Sequence, residues 1–410
     1  MAGKKRDKIK SKDLKGFKYF KVLSGMLEEL HEAACRRDRA GNRILHMDQY
    51  MSLLLLYMFN PLCTSLRALQ EASKLKKVQR VLKVSRASLG SLSEAARVFD
   101  SELLVGVLGD LVERLQPVGH NAKFSDFDQI ITLVDGSWLR AVPKMTWALF
   151  RRDDQHRAIK AHVHFELLKG VPVAAEITAA NTSERAVLAS RLEHNRLYVL
   201  DRGYAKYDLL QAIVNAESSF VCRLADNAVF EVVEERELDR DALAAGVVRD
   251  AVVHLGCKSR REKLPQELRI VQVECTPHRK RSGKTARGGP AQGDTILIVT
   301  DRVDLPADVV GLIYKHRWQV EIFFRFFKHV LGCRHLLSTS QNGIELETYA
   351  AIIACLLIAL WTGRKPTLST YRMLCWYFSG WADEDELLAH IAKLKRPAPS
   401  KLQPDGPIYI

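Results

Sequence analysis

The chain has 410 residues, 47% of them hydrophobic and 27% charged. This is an ordinary globular balance that excludes wholesale disorder and leaves material for two or three domains of ~150 residues each. Lys plus Arg total 62 against 48 Asp plus Glu, a formal net charge of +14; such a surplus points to a polyanionic partner and says nothing about fold.

The first residues are basic (Lys4, Lys5, Arg6, Lys8, Lys10, Lys12) but lead into no apolar stretch, so they read as a solvated tail or a phosphate-contacting arm rather than a secretory signal. From about residue 14 to about residue 115 the pattern is helical. Met47–Phe59 is continuously apolar, Pro61 and Gly90 read as breaks, and Ser91-Leu92-Ser93-Glu94 fits a capping box opening a helix over Ala95–Leu115.

The texture changes after Pro117. Gln129–Val134 is a β-rich run closed by Asp135-Gly136-Ser137. Ala158–Glu166 and Val171–Thr178 are two further strands joined at Lys169-Gly170. A cap at Asn181–Glu184 precedes a helix over Arg185–Leu192. A short strand, Leu197–Leu200, then ends at Asp201-Arg202-Gly203-Tyr204. Helix Lys206–Glu217 and strand Ser219–Leu224 follow. This order predicts an α/β layered domain with an antiparallel start and parallel later strands.

Residues 225–294 interrupt it with β-like runs and charged turns, and read as a β-rich insertion. Thr295–Thr300 resumes the strands, and Asp308–Leu331 reads as one long helix. The apolar run Tyr349–Trp361 has 13 residues, below the ~18 that a membrane span needs; a buried helix and no membrane partner are expected.

Eight cysteines are scattered with no two closer than 18 residues, so no zinc knuckle is expected and they read as reduced residues of a cytoplasmic protein. Ser282-Gly283-Lys284-Thr285 imitates the end of a phosphate-binding loop but has His278 where the first glycine belongs. His278–Gly289, with Lys258, Arg260, Arg261 and Lys263, reads instead as a basic loop able to rim DNA. His162 and His164 share one strand face and read as partly buried residues rather than ligands.

Three acids stand out by position. Asp135 and Asp201 each close an apolar strand ahead of a glycine turn, and Glu321 lies on the long helix. Singly, each has a plain structural reading as a turn, cap or surface ion-pair residue. Together they would form an oxygen-rich pocket suited to Mg²⁺ or Mn²⁺. At about 100° per residue, Tyr314, Arg317, Glu321 and Lys328 fall within roughly 60° of one another. Ile313, Val320, Phe323, Phe324, Phe327 and Leu331 make a separate apolar face.

The spacing Tyr314, Arg317, Glu321, Lys328 within YKHRWQVEIFFRFFK, with Val134-Asp135-Gly136-Ser137 and Leu200-Asp201-Arg202-Gly203-Tyr204, resembles the IS4-type family of bacterial insertion-sequence DDE transposases. The resemblance runs from about residue 45 to about residue 360. It implies an RNase H-like mixed sheet flanked by helices and interrupted by a β-rich insertion. The implied divisions are an N-terminal helical DNA-binding region (1–116), a catalytic domain (117–224 plus 295–345), the insertion (225–294) and a helical C-terminal region (346–410). It implies that Asp135, Asp201 and Glu321 ligate two Mg²⁺ ions, with Mn²⁺ as a substitute. Tyr314, Arg317, Lys328, Arg325 and Arg202 would contact DNA. The implied substrate is double-stranded DNA, both terminal inverted repeats and target, handled by a homodimer at the bacterial nucleoid. A related nuclease, or a domesticated DNA-binding descendant without strand transfer, is the alternative.

Overall fold

A computed structural model of the chain describes residues 27–31, 43–118, 122–124, 127–142, 144–149, 157–256, 264–276, 294–330, 336–395 and 408–409. The basic N-terminal run and the 278–289 loop lie outside these residues. In chain order, the N-terminal helices are α1 (Met47–Phe59), α2 (Leu66–Ser73), α3 (Lys76–Leu82), α4 (Leu89–Val98) and α5 (Leu104–Glu113). There follow β1 (Ile130–Arg140), β2 (Ala158–Glu166), β3 (Val171–Ala179), α6 (Glu184–Ser190), β4 (Arg196–Leu200), α7 (Tyr207–Asn215) and β5 (Ser219–Arg223). Next come β6 (Phe230–Glu235), α8 (Arg240–Ala244), β7 (Val247–Leu255), β8 (Leu268–Thr276) and β9 (Thr295–Thr300). The chain continues with α9 (Ala307–His316), α10 (Trp318–Val330), α11 (Gln341–Thr362), α12 (Leu368–Phe378), α13 (Glu384–Lys395) and β10 (Ile408–Tyr409).

The strands share one sheet in the order β3-β2-β1-β4-β5-β9-β8-β7-β6, with β10 beside β8. β1, β2 and β3 are antiparallel neighbours, and β4 and β5 run parallel to β1. This central order, with helices on both faces, is the RNase H-like arrangement expected from the sequence. β9 departs from the expected parallel run: it pairs antiparallel with both β5 and β8. The reason is the stretch 225–294, whose strands β6, β7 and β8 form an antiparallel meander that extends the same sheet and turns the chain around before β9. β6 is the outer strand and is exposed along almost its whole length.

Two apolar layers sandwich the sheet. One gathers α1–α5, α9, α10 and α11 against Leu133, Val163, Val199 and Val221. The other holds Leu188, Leu209 and Ile213 against Val134, Tyr198, Phe220 and Val299. α11 is long and apolar enough to cross a membrane, but 89% of its apolar window is buried inside the protein. It packs on β3, α1, α4 and α5.

Two helical expectations are corrected. The box at Ser91–Glu94 is not a helix start: Ser88 caps α4 by accepting from the Ser91 N–H at 3.0 Å. The helix then stops at Phe99–Asp100, where the Asp100 carboxylate captures the Glu102 N–H and begins a new turn. The single helix expected over Asp308–Leu331 is two, α9 and α10, joined at Arg317. There the Arg317 N–H bonds back to the Tyr314 carbonyl and the Val320 N–H to the Arg317 carbonyl, tight three-residue closures that interrupt the helical ladder. Within the described residues the apolar face stands as read: Ile313, Val320, Phe323, Phe324 and Phe327 are all buried, and Leu331 lies outside them.

Candidate active site

Asp201 directly follows β4, as expected. Asp135 does not close its strand. β1 continues to Arg140 because β2 pairs with it through Arg140↔Ala158, overriding the Asp-Gly-Ser turn chemistry. What ends near Asp135 is the pairing on the other side. The parallel register of β1 with β4 stops at Leu133↔Val199. Two positions further along both strands stand Asp135 and Asp201, neighbours where the two strands part.

The α9–α10 junction supplies the rest. The Tyr314 hydroxyl donates to Asp201 Oδ1 at 3.3 Å. Arg317 Nη2 donates to Glu321 Oε1 at 2.9 Å, and Nη1 lies 3.7 Å from Asp135 Oδ2. One guanidinium thus lies between two of the three acids, and its neighbour one turn back holds the third. Burial is graded: the Arg317 side chain is 9% exposed, Asp135 23% and Glu321 31%. Burial pushes the Asp135 carboxyl up to about 6, against Arg317 and the Gly136 N–H, which lower it; Glu321 and Glu184 push it further up. Burial also raises the Tyr314 hydroxyl above its usual range.

Arg325 and Lys328 stand further along α10, exposed, with no contact to the acids among the described residues. Arg202 is exposed on the turn after Asp201. The structure therefore brings Asp135, Asp201, Glu321, Tyr314 and Arg317 together and leaves Arg202 on the turn after Asp201, Lys328 two turns along α10, and Arg325 on a separate cavity beside Phe165 and Lys365.

Sequence reasoning passed over a second polar layer. Lys160 Nζ holds Glu184 Oε1 at 3.0 Å beside β1. A Cβ at Gly136 would stand 2.8 Å from that same oxygen, so the glycine is what lets the carboxylate approach the strand. Tyr204 is buried nearby and carries the influence of Glu184, Asp135 and Asp201. Arg223, which ends β5 as Asp201 follows β4, was also missed; its charge acts on Tyr314 and its Nε is buried without a hydrogen-bond partner. Its place at a strand end beside β4 was the available signal. His162 and His164 are both buried, and burial holds both rings down to about 4.

Residues 126–357, which include all three acids and the α9–α10 junction, match the transposase DDE domain family. The chain belongs to that family. It is 30% identical over 236 residues to a putative transposase, y4zB, of Sinorhizobium fredii, covering 56% of this chain and 60% of that one. It is 25% identical over 216 residues to a probable transposase for insertion sequence element IS5377 of Geobacillus stearothermophilus, 52% of each. It is 20% identical over 284 residues to a putative transposase for insertion sequence element IS4SA of Synechocystis, covering 68% of this chain and 73% of that one. The chain thus spans little more than half the length of the first two relatives. All three are named as transposases, and the last two as those of insertion sequence elements, in keeping with the IS4-type resemblance.

Proposed function

We propose that this chain is a DNA transposase that cleaves transposon ends and joins their 3′-hydroxyls to target DNA. The observation that carries the reading is the clasp of one helix junction on three acids remote in sequence: Tyr314 on Asp201, and Arg317 on Asp135 and Glu321.

The donor set fits hard divalent cations, since Asp135, Asp201 and Glu321 offer only carboxylate oxygens. Among the described residues no three acidic, histidine or cysteine groups enclose a metal site as they stand; the Arg317 guanidinium occupies the space between Asp135 and Glu321. Loading therefore requires Arg317 to release these two carboxylates, and a phosphate is the natural competitor for a guanidinium. Two divalent ions bound there, Mg²⁺ or Mn²⁺, would supply an activated oxygen nucleophile and neutralise the leaving oxygen.

The chain's own groups do the positioning. Arg317, once turned outward, and the Tyr314 hydroxyl hold the scissile phosphate in line; Lys328, Arg325 and Arg202 hold flanking phosphates and set register without reading bases. In the first displacement a water oxygen bonds to phosphorus, the P–O3′ bond breaks, and the departing O3′ takes a proton. In the second, that hydroxyl attacks a target phosphate and displaces its O3′. We further propose that residues 1–116 carry DNA-binding helices, that the 225–294 strands and the 346–410 helices frame the catalytic unit, and that two copies pair the two ends at the nucleoid.

The test is incubation with the chain's own flanking repeats and Mg²⁺, scored for cleavage and for joined product. Asp135→Ala, Asp201→Ala and Glu321→Ala are each expected to lose cleavage by about a thousandfold or more while duplex binding persists. Near-normal cleavage by any one removes that residue from the site, and cleavage without joined product reduces the reading to a nuclease.

A further inference from the structure

Beside Asp201, between the Arg202–Tyr204 turn, the start of α7 and the facing ends of β6 and β7, lies a groove of about 1100 Å³. That is at the upper limit of ordinary small-molecule sites. Its rim carries Arg185, Arg202 and Lys206, and its wall Tyr207, Val229 and Leu255. All three cations are exposed.

Several arginines of this half of the molecule are held by carboxylates, while Arg223, Arg236 and Arg240 hold none among the described residues. Arg191 holds Glu102 and Glu176, Arg196 holds Glu193, Arg249 holds Glu235, and Arg302 holds Asp128 and Asp304. Arg185, Arg202 and Lys206 hold no carboxylate among the described residues, although Asp208 lines the same groove. Arg185 Nη1 instead reaches the Gly203 carbonyl at 3.5 Å, leaning over the turn. Three unneutralised cations around one cavity await an external anion. The half-buried Tyr207 ring and the apolar wall give that anion's carrier a surface to stack and pack against.

We propose that this groove binds the unpaired nucleotides adjoining the scissile phosphate, with Arg185 and Lys206 on their phosphates and Tyr207 against a base. The proposal rests on the cleavage reading for the position of that phosphate. A cation-rimmed groove with an aromatic wall is what single strands use, because every base has a stacking face whatever its sequence.

Binding is measured by fluorescence anisotropy, with divalent ions omitted, on a labelled duplex bearing a four-nucleotide single-stranded extension and on its blunt counterpart. The double variant Arg185→Gln, Lys206→Gln is expected to lose about tenfold in affinity for the extended probe, with the salt slope reduced by roughly 0.7 for each cation removed. Blunt-duplex affinity should change by less than about twofold, since the groove takes no paired strand. Tyr207→Leu, which keeps apolar volume but removes the ring face, should lose about tenfold on the extended probe alone. Equal losses on both probes, or no loss on either, overturn the proposal. Because binding is read without cleavage, an inactive but strand-binding protein would sink the cleavage reading and leave single-strand binding by this groove without a scissile phosphate beside it.

Discussion

Arg269 and Arg317 are both more than nine-tenths buried, and both face carboxylates. Arg269 is saturated. Its Nε and Nη2 meet the two oxygens of Asp250 at 2.7 and 2.6 Å, its Nη1 meets the Leu305 and Val303 carbonyls, and each partner of the ion pair is 4% exposed. Arg317 is spread between two acids, one at hydrogen-bond distance and one at 3.7 Å, and both acids are partly open to solvent. A closed pair spends all its donors on the fold and holds β7 and β8 to the segment before α9. An open set keeps donors and acceptors for something that arrives later. The contrast separates scaffold from chemistry where residue type and burial alone do not.

Stability measurements break this comparison most directly. Asp250→Ala leaves a buried guanidinium unpaired and should cost about 3–5 kcal/mol, read as a fall in the denaturation midpoint. Asp135→Ala removes a carboxyl that burial already disfavours in its charged form and should cost far less. A comparable loss in both variants would mean that Arg317 belongs to the scaffold too.

Glu347 sharpens it. This fully buried carboxyl accepts from the Leu337 and Ser338 N–H groups, and burial lifts it from its ordinary 4.5 to about 8. A carboxyl raised on folding stabilises fully below its unfolded value and progressively less as pH climbs through the folded value. Relative to Glu347→Gln, the natural chain should therefore lose a few kcal/mol between about pH 4.5 and pH 8. Parallel pH profiles for the two proteins would refute the shift. The smallest effect is expected at the surface. Lys328→Ala should make the dependence of log K on log salt shallower by about one unit, and an unchanged slope would take Lys328 away from the phosphates.

Much of the site was legible in the sequence because its parts are local patterns. The β4 tip carrying Asp201, the apolar face of α9 and α10, and the spacing of Tyr314, Arg317 and Glu321 are all read within a few turns of chain. What escaped depends on partners distant in sequence. Asp135 looked like the end of a strand until β2, more than twenty residues on, paired past it. The break at Arg317 has no proline or glycine beside it to announce it; it shows only as a switch to three-residue closures in the backbone bonding. Lys160 and Glu184 are unremarkable in sequence and meet only because Gly136 leaves space between them.

The outer strand β6 carries one last lesson. Among the described residues nothing pairs with its far side, and Glu231, Glu234 and Glu235 are exposed along it. The pairing with β7 also slips between Val232 and Glu234. An unpaired margin this long invites copies of the chain to stack edge to edge into aggregates. Like charges and a broken register discourage that stacking, so copies of the chain can crowd together without their sheets fusing.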